Sequence, residues 1–185
     1  MGLLSPLLKN WRIKKVSKWI SGKRILDCGC GDGVLLDVIG EDTDYTGIDI
    51  NREHIDNAKS RRLNAKFLML DVEGDLKVHG KFDVIVMCAL IEHLKNPERF
   101  LSIISRLLAK NGRIVITTPT PKANKILNLG SAVGIFDMEA FKEHKSYFTY
   151  DDFGRIAKNL GLKIEHYEKF QLGLNQLVVL CKAKQ

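Results

Sequence analysis

Ile25-Leu26-Asp27-Cys28-Gly29-Cys30-Gly31-Asp32-Gly33 decides the fold. An apolar strand-like run ends in an acidic residue, three glycines alternate with other residues, and an apolar, helix-like segment begins at Val34. Glycine has no Cβ, so the backbone can turn sharply and a ligand can approach it closely. Such loops recur where a strand feeds a helix in nucleotide-binding α/β folds. The loop therefore predicts a ligand with a nucleoside part.

What the loop lacks narrows that ligand. In a dinucleotide fingerprint counted from Gly29 and Gly31, the third glycine falls where this chain has Val34. A phosphate loop needs Lys and Ser or Thr after its last glycine, and none follows Gly33. Asp27, expected at the mouth of the loop, repels a pyrophosphate and attracts a cation. S-adenosylmethionine, with its sulfonium and ammonium groups, fits that charge.

At these residues the chain resembles the class I S-adenosylmethionine-dependent methyltransferases, whose first motif, acidic-x-Gly-x-Gly-x-Gly, is matched by Asp27, Gly29, Gly31 and Gly33. Asp49 closes the strand-like run from Tyr45, where the family sets an acidic residue on the ribose hydroxyls; a carboxylate can accept both hydroxyl protons at once. Asp71 ends a third run, Phe67 to Leu70, at the place that usually holds the adenine amino group. The resemblance extends the expected cofactor contacts to Ile50 and Val72 beside those aspartates, and to Met87 and Cys88 at the end of a fourth run beginning at Phe82. Asp32 reads as a solvated loop residue or helix cap. Gly112 to Thr117 looks like the family's fifth strand.

Alternating strands and helices imply a largely parallel sheet covered on both faces. Helical stretches are predicted over Val34 to Ile39, Arg52 to Arg62, Pro97 to Ala109 with Asn96 as cap, and Tyr150 to Leu160 capped by Thr149. Two further strands are predicted near Leu162 to Phe170 and Leu177 to Ala183. The resemblance implies a Rossmann-like, doubly wound, seven-stranded sheet in the order 3-2-1-4-5-7-6, the last strand antiparallel, within a single domain over 1–185. One connection, 119–146, spans about 28 residues, far more than usual, and reads as a lid that shapes the acceptor pocket.

Methyl transfer is a direct displacement and needs no nucleophilic side chain, although a hydroxyl acceptor calls for a base. Glu92 and His93, just past the fourth strand, and His144, late in the long connection, are the candidates. The segment Ile91-Glu92-His93-Leu94 resembles that of small-molecule O-methyltransferases, including ubiquinone-pathway enzymes. Some of these relatives bind a divalent metal through an acidic residue three positions before the Glu. That position is Ala89 here, so no metal is expected.

With 45% hydrophobic residues the chain can build a substantial core. No run approaches the ~20 apolar residues of a membrane span, no secretory signal is evident, and a soluble, cytoplasmic protein is expected. The four cysteines have neither disulfide-framework nor zinc spacing. All the formal excess charge of +7 resides in the first 24 residues, which hold seven Lys or Arg and no Asp or Glu.

Ser5-Pro6 is a helix start and Ser21-Gly22 a plausible stop, so residues 1–22 read as a basic helix carrying Trp11 and Trp19. Such a helix can contact an anionic membrane through residues 1–20, cover the cofactor pocket, touch nucleic acid, or simply pack on the sheet. The neutral remainder, and the absence of the Asn/Asp-Pro-Pro-aromatic motif of nitrogen methyltransferases, argue against a nucleic-acid acceptor. A small-molecule acceptor is expected, with S-adenosylhomocysteine as by-product. An RNA methyltransferase and a non-catalytic S-adenosylmethionine-binding protein are the alternatives.

Overall fold

The computed structural model describes residues 5–62, 64–123 and 146–183. Most of the long connection, with His144 and the expected lid, lies outside the described residues.

Seven strands form one sheet: β1 (Arg24–Cys28), β2 (Asp44–Asp49), β3 (Lys66–Met69), β4 (Phe82–Cys88), β5 (Leu108–Pro119), β6 (Leu162–Phe170) and β7 (Asn175–Lys182). Their order is β3-β2-β1-β4-β5-β7-β6, as the family resemblance implies. β1 pairs in parallel with β2 and β4, while β7 runs antiparallel to both β5 and β6. The chain thus winds outward in one direction from β1 and in the other from β4.

Side-chain alternation along the central strands builds two cores. Leu26, Ile85, Met87, Ile114, Ile116, Val178 and Leu180 face α3 (Pro97–Ser105) and α4 (Tyr150–Asn159). Ile25, Val84, Val86, Val115, Leu177 and Val179 face α1 (Ser5–Ser17), a 3-10 turn at Val34–Val38, and α2 (Arg52–Lys59). Burial on both faces explains why these strands read as unbroken apolar runs. The predicted caps hold: the Asn96 side chain accepts from the Arg99 N–H, and Thr149 forms a reciprocal capping box with Asp152.

Four helical segments differ from expectation, among them α2, which ends at Lys59 with Ser60 as its cap, three residues short of Arg62. α1 ends at Ser17, and Gly22 serves the entry to β1 instead of stopping the helix. Its φ of 86° is left-handed, and a Cβ there would lie 2.5 Å from that of Asp83, whose carboxylate accepts the Lys23 and Arg24 N–H groups. The segment after Gly33 is a five-residue 3-10 turn, long enough to bury Leu35 and Leu36 but no longer. α3 stops at Ser105 because the Leu107 carbonyl accepts the Phe82 N–H at 2.8 Å, drawing the chain into β5 four residues earlier than its glycine predicts.

Candidate active site

The winding direction reverses between β1 and β4, and a crevice opens there at the carboxyl ends of the strands. The glycine loop lies in it. Gly29 and Cys30 donate their N–H groups to the Ile48 carbonyl at 2.8 and 3.0 Å, tying the loop to β2. Gly29 has φ 69°, a left-handed state that favours glycine, and a Cβ on it would press on Leu90 Cδ1 at 3.1 Å.

Asp49, at the end of β2, organises the site. Its Oδ2 accepts the Gly31 N–H and its Oδ1 the Asn51 N–H, both at 2.9 Å, while His54 Nδ1 stands 3.6 Å away. Each carboxylate oxygen retains a lone pair for a further donor. Asp49 and Gly29 form a wall common to two cavities.

The first cavity, ≈ 170 Å³, is lined by Ile50, Leu70, Asp71, Val72, Glu73, Leu90, His93 and Leu94 beside that wall. It is an apolar slot with Asp71 at its edge. The second, ≈ 270 Å³, lies between the glycine loop and α1. Asp27, Cys30, Gly31, Val34, Leu35, His54 and Cys88 line it, and Lys9, Arg12 and Ile13 of α1 roof it. Of the roles open to the basic helix, covering this pocket and packing on the sheet are both realised: Ile13 and Val16 are buried in the core.

The electrostatics of the second cavity depart from expectation at Asp27. It lies at the floor, 3% exposed, where the Tyr45 phenol donates to its Oδ2 at 2.7 Å. Burial pushes its carboxyl up to about 7, partly offset by the phenol and reinforced by the charge of Asp49. The same burial raises the Cys30 thiol and pushes that of Cys88 up to about 12, so neither is a ready nucleophile. Above them the guanidinium of Arg12 has a buried Nε without a hydrogen-bond partner.

Past β4 the backbone turns sharply: Ala89 takes φ 52°, left-handed for a residue with a Cβ, and donates its N–H to the Thr117 carbonyl. In the 3-10 turn that follows, Ile91–His93, successive side chains diverge and separate Glu92 from His93. His93 lines the first cavity, whereas Glu92 is fully buried behind β5. Thr118 Oγ1 donates to Glu92 Oε2 at 2.9 Å, while Oε1 is buried without a hydrogen-bond partner. Burial raises this carboxyl to about 7, with its own backbone N–H, the Thr118 bond and the charge of Arg12 pulling the other way. Among the described residues, no three His, Cys, Asp or Glu side chains are arranged to hold a metal ion.

Of the expected site residues, the crevice brings together Asp27, Gly29, Gly31, Asp49, Ile50, Asp71, Val72, Cys88 and His93. Met87 is a correction: alternation along β4 turns its side chain, fully buried, into the α3-side core and away from both cavities. Gly33 lines neither cavity; it abuts Ala58 of α2 and lets the chain start the 3-10 turn. Sequence reasoning passed over Arg12, Tyr45 and Leu90. Arg12 sits in a run of cations with nothing to single it out, and Tyr45 is visible only once parallel pairing places Thr46 beside Leu26 and the phenol beside Asp27.

The comparisons agree with this geometry. Residues 9–167 match the family model described as a methyltransferase domain. Ubiquinone biosynthesis O-methyltransferase of Aeromonas salmonicida is 27% identical over 191 residues, covering 93% of this chain and 79% of that protein. The enzyme of the same name from Glaesserella parasuis is 32% identical over 141 residues, covering 70% of this chain and 59% of that protein. Against several of its curated relatives the chain thus spans little more than half their length. In fold, it is similar to magnesium protoporphyrin IX methyltransferase from Synechocystis, solved with S-adenosylhomocysteine, at a TM-score of 0.72 and 15% identity over 92% of this chain and 82% of that one. The match over most of its length, together with the glycine loop and the strand order, shows that the chain belongs to the methyltransferase domain family, as a class I S-adenosylmethionine-dependent methyltransferase.

Proposed function

We propose that the chain methylates a hydroxyl of a small-molecule acceptor, that its two cavities hold S-adenosylmethionine, and that Glu92 receives the acceptor's proton. The observation that carries the reading is the Glu92 Oε1, buried and without a partner at the end of β4. A carboxylate oxygen in that state is costly unless a ligand group completes it.

The residues fit the cofactor. The slot between Ile50, Leu90 and Leu94, edged by Asp71, suits adenine, and Asp49 has lone pairs left for the two ribose hydroxyls. Arg12, with its unpartnered Nε, suits the carboxylate of the amino-acid portion, while Asp27 at the floor offsets positive charge. When bound, S-adenosylmethionine supplies a sulfonium methyl group open to in-line displacement. The protein's part is to orient the acceptor and exclude water, an effect of roughly 7 to 11 kcal/mol at full strength.

Glu92, with a carboxyl titrating at about 7, is suited to hold a proton at neutral pH, and Thr118 fixes its other oxygen. His93 belongs with the adenine slot in this reading. His144 is kept as a second candidate base from the sequence alone. The four cysteines are free, in keeping with action in the reducing cytoplasm as one domain.

The test is to incubate the chain with labelled S-adenosylmethionine and fractionated metabolite and lipid extracts, following label transfer and S-adenosylhomocysteine release. Labelling of a hydroxyl compound supports the proposal. Transfer to RNA alone, or cofactor binding with no transfer to any fraction, overturns it.

A further inference from the structure

Three large apolar side chains stand in solvent at one corner of the molecule: Leu172 is 90% exposed, Leu7 66% and Trp11 47%. Leu172 occupies the tight turn between β6 and β7, where Gln171 has φ 52° and Leu172 φ 58°, two successive left-handed residues that carry side chains. Asn or Gly would take that backbone state with less strain; a leucine there is an outlier. The turn is nonetheless firmly built. The Gln171 side chain is buried, donates through Nε2 to the Leu8 carbonyl at 2.9 Å and accepts from Asn175 Nδ2 at 2.6 Å. With Gln171 turned inward against α1, Leu172 is held outward beside the first turns of that helix. The rings of Trp11 and Phe170, 6.5 Å apart, close the same corner.

The charge around this corner is one-sided. The exposed residues of α1 include Leu7, Asn10, Trp11 and Lys14 at helical spacing, with Lys18 exposed just beyond it. Lys169 is exposed two residues before the strained turn. Of the nearby carboxylates, Asp32 lies 3.9 Å from Lys9 and Glu168 2.6 Å from Lys15, so both are already matched by cations.

We infer that Leu172, Leu7 and Trp11 form a docking tip for an anionic lipid bilayer, with Lys14 and Lys18, along the same exposed face of α1 and just beyond it, set back from the tip to meet the lipid phosphates. Leu172, 90% exposed at a hairpin turn, presents its apolar side chain to solvent, and a deformable interface can close around it. Tryptophan and lysine are also the residues an interface retains, the ring at headgroup depth and the ammonium on phosphate. A second copy of the chain would bring like charges together.

The tip adjoins the carboxyl end of β5, on the side of the sheet where the crevice opens. The Gly173 and Leu174 carbonyls accept from Thr120 Oγ1 and N–H, immediately after β5. Docking therefore holds the open end of the sheet against the membrane. If the proposed hydroxyl methylation holds, on which this extension rests, the acceptor is an amphipathic compound dissolved in the bilayer.

The test is co-sedimentation of the full chain with vesicles of phosphatidylcholine alone or with a quarter of phosphatidylglycerol. The intact chain is expected to bind the anionic vesicles and to leave them as salt rises. Leu172→Asn, which suits the left-handed backbone and folds at least as well, is expected to weaken binding about tenfold. Lys14→Glu and Lys18→Glu are each expected to weaken it at least about fivefold. Calorimetry with S-adenosylmethionine on the same variants is expected to be unchanged, which separates docking from the methyl-transfer reading. An intact chain that stays in the supernatant overturns the inference, as does equal binding by Leu172→Asn. So does a dimer in solution that Leu172→Asn dissociates without any vesicle binding, since a second copy then covers the corner.

Discussion

The Tyr45 phenol donates a 2.7 Å hydrogen bond to Oδ2 of Asp27, the acidic residue that opens the glycine motif, at the floor of the cavity beneath α1. Burial holds this carboxyl's titration near 7, against 3.8 for an exposed aspartate. Because a cation favours the ionised form, binding S-adenosylmethionine should expel the Asp27 proton. Affinity is expected to rise from about pH 6 to about pH 8, with proton release visible in calorimetry as a dependence on buffer ionisation heat. Asp27→Asn should flatten this profile.

The same shift has a sign for stability. Between about pH 4 and about pH 7, the unfolded chain has lost the Asp27 and Glu92 protons that the folded chain still binds, so stability falls as pH rises through that window. Thermal unfolding without cofactor is expected to show a higher Tm at the acid end. The double variant Asp27→Asn with Glu92→Gln should lose most of the slope.

Asp49 supports the loop and faces both cavities. Asp49→Ala removes the acceptor of the Gly31 and Asn51 N–H groups as well as the proposed ribose contact. Affinity for S-adenosylmethionine and S-adenosylhomocysteine is expected to fall about tenfold or more, and equally for both, because neither contact involves the methyl group. Calorimetric titration of the two ligands checks this.

Glu92→Gln should separate binding from chemistry. The amide preserves shape and can still accept from Thr118, but it cannot take a proton. Cofactor affinity is expected to stay unchanged while kcat falls about a hundredfold, and the rise of rate with pH through about 7 should disappear. An unchanged pH profile would show that the proton leaves by another route.

Gly29→Ala tests the loop itself. The added methyl meets Leu90 Cδ1 at 3.1 Å on a backbone at φ 69°. A loss of about 1 to 2 kcal/mol is expected from the conformation alone, seen as a lower midpoint in denaturant, together with weaker cofactor binding.

Much of the fold was legible because its signals are local. Tyr45 to Asp49 and Phe82 to Met87 read as strands since parallel strands buried on both faces are written as apolar runs, and Asn96-Pro97 and Thr149 announce their helices by capping chemistry. The misreadings involve long-range contacts. Gly22 resembled a helix stop, but its partner is Asp83, far along the chain in β4. Met87 resembled a site residue because it closes a strand, yet strand alternation sends it to the core and leaves Cys88 in the crevice. Arg12 carried no signal at all; only the packing of Ile13 and Val16 on the sheet places its guanidinium over the glycine loop.

The wall shared by the two cavities makes the site divisible. Gly29 and Asp49 are common to both, and the end of β4 reaches each, through Cys88 on one side and Leu90, His93 and Leu94 on the other; the rest of the adenine slot comes from the ends of β2 and β3, and the rest of the roofed chamber from α1, α2, β1 and the loop after it. Adenosine and methionine should therefore each occupy their own compartment, weakly and without competing. The full cofactor's affinity then arises largely from the covalent tether, which makes the second half-site's capture intramolecular. Inhibitors grown from either fragment would have independent starting points that converge on one aspartate.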